Sequence, residues 1–473
     1  MKRRAFLGVT AAAGAAAALT GCGKPAGTEA AKTGASKTEV APVKLAGLTL
    51  EELREEHRHW MLDDFVPFMD KFVVDHGLGG FMCTVDRDGT QVNSNKRTWY
   101  EGRGIWTYSY LYNKVEQNPA YAEIARKSVE FISKQNPTGK ELMPVAYTKE
   151  GIPLEDGPDP IFYGDVFVAN GFQEFSKING NEKYWDIAKQ ILLKCVDIYD
   201  NRPGYGNMPA GPSVIPLDRR PRGKRAAAAA AAPPPQPVIV PGVERPRQCG
   251  HWMVLLNCAQ QMLETRPDPD IETIAKRSVE AVMNYHYNPD YRLINEQVNH
   301  DLSRIEGEHG QMATGHGPET LWMVLYDAVR TKDKPLFDRA AEYLHRSAEV
   351  FWDDVYGGML AGLSHVDLNI WDVRQKSLWL QQEFLIGFLA IIEHTGAQWA
   401  KDWYAKLHDY VMAKFPLKQY GFPLWIAYAD RKITFVRNYD RCEHFHHPRY
   451  LMQNMLALDR MIARKGEPSG VFA

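Results

Sequence analysis

A helical periodicity that alternates between two kinds of segment is the feature that most constrains the fold of this chain. Some segments carry apolar residues on one face only, as 120–134 does with Tyr121, Ile124 and Val129. Others, such as 249–264, are apolar on all sides, which is typical of a buried helix. The alternation predicts a closed ring of paired helices with the apolar members inside. Twelve helices are expected, at 51–75, 103–115, 120–134, 161–175, 184–200, 249–264, 272–286, 316–329, 334–351, 376–394, 400–414 and 445–462.

Short strand-like pieces interrupt these helices. Residues 79–85 and 357–360 are examples, and the first is followed by the turn sequence at 86–89. They are expected to form small β-hairpins at the mouth of the ring. Neither a P-loop nor a dinucleotide-binding fingerprint is present, so no nucleotide cofactor is expected. The 56 basic and 58 acidic residues leave a formal charge of −2, which argues against a nucleic-acid partner.

The N-terminus has the pattern of an export signal. Arg3 and Arg4 precede a short apolar run, in the order of a twin-arginine signal. The run is too short and too rich in alanine and glycine to span a bilayer. It ends in residues 19–22, which resemble a lipoprotein box with Cys22 as the lipidated residue. The sequence predicts a signal peptide at 1–22, a flexible tether at 23–45, and an exported protein lipid-anchored on the periplasmic side of the cell envelope.

The remaining chain is expected to form one catalytic domain at 46–465. A Pro/Ala-rich insert at about 202–248 interrupts it, with seven consecutive alanines at 226–232. Such a segment cannot bury enough surface to order itself. It is either a solvated loop without a role or a lid or partner-binding loop, since it leads directly into the cluster at His251.

Polar and aromatic residues with chemical potential cluster at the starts of the apolar helices. Inner helices of a ring share one orientation, so their starts converge on one end of the barrel. The spacings i, i+3 and i+4 also place members of several clusters on one helix side. The candidates are Trp99 with Arg103, His251, His316 with Glu319 and Trp322, Trp379 with Glu383, and His446 with Arg449.

The residue types leave several interpretations open. A histidine at a helix start is often only a cap or a satisfied hydrogen-bonding residue. A metal site formed by His444, His446 and His447, or by His309 with His316, lacks a carboxylate-rich ligand set, so no metal is expected. Glu319 and Glu383 are also candidates for the acid and base of a glycoside hydrolase.

Four runs of this sequence resemble the motifs of the N-acylglucosamine 2-epimerase family, which includes cellobiose 2-epimerases and mannose-type aldose–ketose isomerases. They are residues 99–106, 315–322, 376–383 and 446–451, and the likeness extends over about 57–460. The resemblance implies an (α/α)6 barrel, in agreement with the twelve expected helices. It also implies a carbohydrate epimerase or isomerase that needs no cofactor.

The resemblance further implies a role for each candidate residue. His316 and His446 match the acid/base pair at the sugar C2, Arg103 the arginine that holds the oxygens of the ring-opened sugar, and His251 a histidine that assists ring opening. Glu319 and Glu383 match carboxylates that orient the histidines or bind hydroxyls. The remaining candidates match substrate-binding positions: Trp99, Trp322, Trp379 and Arg449.

Proton transfer at a carbon next to a carbonyl needs a placed base and a stabilised enediolate oxygen, and histidine can take and return a proton near neutral pH. The expected activity is therefore 2-epimerisation of an aldose, an N-acylhexosamine or a reducing-end disaccharide. The alternatives are an aldose–ketose isomerase, an (α/α)6 glycoside hydrolase or lyase, and a non-catalytic sugar-binding lipoprotein. The small-molecule carbohydrate is the expected partner, and the protein is expected to be a monomer or a homodimer.

Overall fold

The computed structural model describes residues 43–135, 141–154, 162–201, 246–306, 313–363, 375–417, 422–423, 426–428, 431–432, 442 and 444–473. Within these residues the chain is mainly helical. Its α-helices are α1 (Leu50–His59), α2 (Val66–Phe72), α3 (Thr98–Tyr110), α4 (Pro119–Ser133), α5 (Tyr163–Phe175), α6 (Lys183–Asn201), α7 (Cys249–Thr265), α8 (Pro269–Glu280), α9 (His316–Thr331), α10 (Lys334–Phe351), α11 (Leu378–Thr395), α12 (Gln398–Lys414) and α13 (His446–Ala463). Because the π-helical turn Trp60–Phe65 joins α1 to α2, they form twelve helical segments, at the twelve positions expected from the periodicity.

The outer helices begin at strong N-terminal signals. Asn118 caps α4 by accepting a hydrogen bond from one backbone N–H of the first turn, Asp268 caps α8 by accepting from two, and each is followed by proline. Thr49 and Glu52 form a reciprocal capping box at the start of α1. Proline fits the first turn because the N–H it lacks would have had no partner inside the helix. These local signals mark where α1, α4 and α8 start.

The inner helices are buried along nearly their whole length. Every residue of α5 is buried, and so is α11 from Leu380 to Glu393. Outer α8, by contrast, buries Ile271, Ile274, Ala275 and Ser278, which form one face. The helices α3, α5, α7, α9, α11 and α13 pack against one another in sequence. The ring closes where Thr107 of α3 donates to the backbone carbonyl of His444, just before α13.

Short antiparallel strands lie where several inner helices begin. The paired strands are Lys44–Leu45 with Leu48–Thr49, Lys96–Arg97 with Ala146–Tyr147, Arg247–Gln248 with Gln297–Val298, Tyr287–Asn288 with Leu293–Ile294, Ala313–Thr314 with Gly362–Leu363, Pro416–Leu417 with Phe422–Pro423, and Gln375–Ser377 with Ile426–Tyr428, which also pairs with Arg431–Lys432. The expected strand pieces at 79–85 and 357–360 make only single bridges, Val74 with Phe81 and Trp352 with Met359 among them. The strands thus form small two- and three-stranded sheets between the helices of an all-α barrel.

The fold expectation is confirmed: the chain forms an (α/α)6 barrel. The predicted signal peptide, the tether up to residue 42 and the insert from 202 to 245 lie outside the described residues. Among the helices that are described, none combines the length and hydropathy needed to cross a membrane.

Candidate active site

The first turns of the inner helices bring the candidate residues of the sequence into one region. His316 is the first residue of α9, His446 the first of α13, and His251 the third of α7. Glu383 and Arg103 each lie about one turn and a half into their helices. The structure therefore places these residues at the starts of inner helices, as expected.

His316 is held by a carboxylate from outside its own helix. Its Nδ1 lies 2.9 Å from Oε1 of Glu296, whose other oxygen accepts a hydrogen bond from Thr314. Burial alone would lower the pKa of His316, but the charges of Glu296 and Glu319 outweigh it and raise the pKa to about 9. The side chain is 32% exposed. His316 therefore carries a proton at neutral pH and retains access to a ligand.

His446 belongs to a buried cluster of opposite charges. Its Nδ1 lies 2.8 Å from Oε1 of Glu383 and 3.7 Å from Oε1 of Glu319. Nη2 of Arg449 lies 2.6 Å from both of these carboxylate oxygens and 3.1 Å from Nδ1 of His446. Desolvation raises the pKa of Glu383 to about 8, although Arg449 opposes the shift. One guanidinium nitrogen thus binds two buried carboxylates, and Glu383 holds the ring of His446.

Trp379 connects the two histidines. Its ring centroid lies 6.2 Å from that of His316 and 5.3 Å from that of His446, with interplanar angles of 34° and 40°. Gly315 makes this approach possible, because a Cβ at this position would lie 2.3 Å from the indole. Glu319 is also near both imidazoles: its charge raises the pKa of His316, and its Oε1 lies 3.7 Å from Nδ1 of His446. Two histidines from different helices are therefore gathered around one partly buried indole.

Arg103 lies among aromatic rings on the α3 side of the site. Its guanidinium carbon is 4.6 Å from the ring centroid of Trp99, 4.3 Å from that of Phe167 and 4.7 Å from that of Phe445. Arg103 is buried, and its charge opposes protonation of His316. The rings orient a cation toward the same region that the two histidines border.

His251 lies deeper than the other histidines. It is fully buried, its Nδ1 is 3.1 Å from the hydroxyl of Tyr199, and desolvation lowers its pKa to about 3. Among the described residues its Nε2 has no hydrogen-bond partner. The preceding Gly250 lets the Tyr163 hydroxyl and His316 approach the helix start, since a Cβ there would lie 2.1 Å from that hydroxyl. His251 is thus a neutral imidazole near the pair of His316 and Tyr163.

Trp322 is placed differently from Trp379. It is fully buried, and its Nε1 donates to Oε2 of Glu383 at 2.6 Å. The indole of Trp322 thereby orients the carboxylate that holds His446. Trp99 is partly exposed and stacks on Tyr163, with 5.6 Å between the ring centroids. The substrate contacts expected of these tryptophans remain predictions.

Three of the candidate residues have the composition of a metal site. The ligand atoms of Glu319, Glu383 and His446 lie within 4.8 Å of one another. In this structure Nη2 of Arg449 forms an ion pair with both carboxylates. Of the other histidines of the metal hypothesis, His309 lies outside the described residues, whereas His444 and His447 have other partners. His444 Nε2 lies 2.8 Å from the Tyr100 carbonyl oxygen, and His447 Nδ1 lies 2.6 Å from Nε2 of Gln382.

Sequence reasoning missed two residues of the site. Glu296, the partner of His316, lies just before the strand Gln297–Val298, and Tyr163 is the first residue of α5. Neither belongs to a helical same-face pair with a histidine. The available signal was the unusual position of a carboxylate inside the buried apolar and amide stretch 293–298, which has no helical period.

The chain is similar to several known proteins. The family model of N-acylglucosamine 2-epimerase matches residues 242–448. The N-acylglucosamine 2-epimerase of Bos taurus is 22% identical over 449 residues, covering 89% of this chain and 96% of the relative.

Two solved structures share the fold. The cellobiose 2-epimerase of Bacillus thermoamylovorans superposes with a TM-score of 0.69 at 16% identity, covering 86% of this chain and 99% of the other. A D-mannose isomerase superposes with a TM-score of 0.65 at 14% identity, covering 86% and 97%. The family match over residues 242–448, the relative that covers 89% of this chain and the shared barrel agree with one another: the chain is similar to the N-acylglucosamine 2-epimerases over nearly its whole length.

Proposed function

We propose that this protein is a sugar 2-epimerase that inverts C2 of an aldose, an N-acylhexosamine or a reducing-end disaccharide. The observation that carries the proposal is the placement of His316 and His446, from different helices, around the ring of Trp379. Inversion at a carbon requires one group to remove a proton on one face and another to return a proton on the opposite face. The named relatives, which include N-acylglucosamine and cellobiose 2-epimerases, support this choice of reaction.

The protonation states fit a two-histidine mechanism. His316, with its pKa raised to about 9, enters the reaction protonated and acts as the acid. His446 acts as the base, and because Glu383 holds its Nδ1, proton transfer takes place at Nε2. The C2 proton moves to His446, the electrons of the C2–H bond form the enediolate with the C1 carbonyl, and His316 returns a proton on the other face. The reverse reaction exchanges the two roles.

Arg103 completes the proposed chemistry. An enediolate carries its negative charge on oxygen, and a fixed cation in a site of low dielectric stabilises that charge strongly. Arg103 is buried among three rings and acts electrostatically on His316, so its charge lies near the reacting centre. We assign His251, a neutral buried imidazole, to ring opening, with Tyr163 beside it.

The geometry disfavours a hydrolase that uses Glu319 and Glu383 as acid and base. Both carboxylates are buried and share the same nitrogen of Arg449. A hydrolase of the inverting type needs one carboxylate free to activate a water molecule. We therefore assign the two glutamates to holding His446, whose Nδ1 lies 2.8 Å from Glu383 and 3.7 Å from Glu319.

The function is tested by proton exchange. Candidate sugars incubated with the protein in deuterated water should gain deuterium at C2 and form the C2 epimer; the panel should include an N-acylhexosamine, glucose, mannose and cellobiose. A ketose labelled at C1 would instead identify an aldose–ketose isomerase, the activity named for the structural neighbour that acts on mannose. Absence of label from every sugar in the panel would contradict the proposal.

We also propose that the protein is exported and anchored by a lipid at Cys22. The twin-arginine pattern at Arg3 and Arg4 and the lipoprotein box at 19–22 support this proposal. In a bacterial host given a labelled fatty acid, the wild-type chain should incorporate label and partition with membranes. Cys22→Ala should lose the label and be released in soluble form. A labelled Cys22→Ala variant would refute the assignment of the lipidated residue.

A further inference from the structure

Two turns on different sides of the barrel repeat the same local structure. One follows α2 and precedes α3, and the other follows α10 and precedes α11. In each, an aspartate is followed four and five residues later by two glycines with positive φ: Asp75 with Gly79 and Gly80, and Asp353 with Gly357 and Gly358. The match continues into the short strand before the next helix, where equivalent positions hold Lys96 and Lys376, and into that helix, where they hold Trp99 and Trp379, and Glu101 and Gln381.

The hydrogen bonds of the two turns are also equivalent. Asp75 N–H donates to the Gly80 carbonyl at 2.9 Å, and Asp353 N–H donates to the Gly358 carbonyl at 2.9 Å. Each aspartate side chain caps two backbone N–H groups of its own turn. The turns can therefore be compared residue by residue.

A buried lysine just before the helix forms an ion pair with the aspartate of each turn. Nζ of Lys96 donates to Asp75 at 3.0 Å and to the carbonyls of Gly79 and Lys149 at 2.6 and 2.9 Å. Nζ of Lys376 likewise donates to Asp353 at 2.5 Å. An ammonium group has three protons, so Lys96 has none left for a further acceptor.

The two turns differ in the side chain that clamps the last turn residue. Gln381 uses both ends of its amide on Met359: Oε1 accepts from the Met359 N–H at 2.7 Å, and Nε2 donates to the Met359 carbonyl at 2.9 Å. Glu101 accepts from the equivalent N–H, that of Phe81, at 3.0 Å. Its Oε2 is buried without a hydrogen-bond partner among the described residues. An ionised carboxylate cannot make the second bond, because it has no proton to donate.

We propose that Glu101 is held as a neutral carboxylic acid, whose Oε2–H donates to the Phe81 carbonyl as Gln381 Nε2 donates to that of Met359. Glu101 then clamps the turn onto α3 and acts as a positioning residue for Trp99 and Arg103, two residues before and after it. The effect on catalysis rests on the proposed function, whereas the protonation state does not.

The surroundings of Glu101 favour the neutral form. Glu101 is fully buried, and desolvation raises the pKa of its carboxyl to about 8, against the opposing effects of the Phe81 N–H and Lys96. The charged and titratable groups that face it are Lys96, Asp75 and Tyr147. Lys96 and Asp75 form an ion pair with each other, so neither is a counter-charge reserved for Glu101.

Phe81, the residue whose backbone Glu101 binds, contacts residues next to two parts of the active site. Phe81 packs on Tyr108 of α3 with 5.8 Å between ring centroids, and on His444 with 5.9 Å. His444 lies two residues before His446. Loosening the Glu101 clamp would therefore disturb Arg103 directly and the start of α13 through Phe81.

The protonation state is tested by thermal unfolding of Glu101→Gln and wild-type protein between pH 5 and pH 9. The pKa of Glu101 is above its ordinary value in the folded state, so its contribution to stability is complete below pH 4.5 and is lost as the pH rises to about 8. The Tm advantage of Glu101→Gln over wild type should increase with pH and level off above pH 8. The infrared difference spectrum between the two proteins at pH 6 should contain the carbonyl stretch of a protonated carboxyl.

The equivalent turn supplies a matched variant. Gln381→Glu places an acid in the second clamp, and its Tm relative to wild type should fall over the same pH range. For activity, wild type should lose several-fold more kcat/KM than Glu101→Gln between pH 7 and pH 9. A Tm difference between Glu101→Gln and wild type that is independent of pH, or a spectrum without the protonated carboxyl, would overturn the proposal even if the protein epimerises sugars.

Discussion

Glutamine in place of His446 is expected to lower kcat/KM for epimerisation about 10³-fold, within the ~10²–10⁴-fold range of a positioned general acid or base. Glutamine is close to histidine in size, and its amide can still contact Glu383, which lies 2.8 Å from Nδ1 in the wild type. It cannot, however, exchange a proton with carbon. The barrel should therefore remain folded while turnover is lost.

The two-histidine arrangement also predicts how the residual chemistry divides. In His446→Gln, His316 can still remove and return a proton on the face that it borders. One C2 epimer should therefore exchange its C2 proton with deuterated water without inversion, while the other epimer should not exchange. His316→Gln should show the opposite preference. Exchange of the same epimer by both variants would contradict placement of the histidines on opposite faces of C2.

His447→Gln is the matched control for the His446 variant. His447 is the next residue of the same helix and is equally buried, but its ring packs on Trp60 and Phe65, and its Nδ1 contacts Gln382. This substitution should lower Tm through lost packing and leave both epimerisation and the exchange of both C2 epimers in place. A 10³-fold loss of kcat/KM in this control would mean that any buried change in α13 disables the site.

The alternation of amphipathic and apolar helices was sufficient to predict the barrel. The reason is physical: an inner helix such as α5 is buried on every side, whereas outer α8 buries one face, and both patterns are visible in the residues themselves. Helical spacing also placed His446 and Arg449 on one helix side, and Nη2 of Arg449 does lie 3.1 Å from Nδ1 of His446. Local periodicity therefore predicts the elements and the pairs within them.

Contacts between elements could not be predicted in this way. Glu296 reaches His316 from a short strand, and that contact depends on how the strand Gln297–Val298 pairs with Arg247–Gln248. Trp322 bonds Glu383 of another helix because of how α9 and α11 are rotated against each other. Such rotations follow from the packing of the whole ring, and no single segment of sequence contains them.

Removal of the Arg449 guanidinium is expected to produce the largest loss of stability. Arg449→Met leaves the Glu319 and Glu383 oxygens, each 2.6 Å from Nη2 in the wild type, buried together without a counter-charge. Breaking a buried ion pair by removing one partner costs about 3–5 kcal/mol in the free energy of unfolding. Urea denaturation at pH 8 should show a loss of this size, together with loss of epimerisation because His446 loses its support.

The loss should depend on pH, which separates the electrostatic explanation from simple cavity formation. Without Arg449 the two carboxylates should take up protons at higher pH than in the unfolded chain, so the deficit of Arg449→Met should be smallest near pH 5 and grow toward pH 8. Arg449→Lys keeps the positive charge and should recover part of the stability. Arg460→Met is the control on the same helix. Its buried partner Glu393 also forms an ion pair with Arg464, at 2.9 Å, so the Arg460→Met variant should lose much less stability. A deficit that is equal at pH 5 and pH 8 would indicate lost packing of Arg449 on Trp322 and Phe445 rather than uncompensated charge.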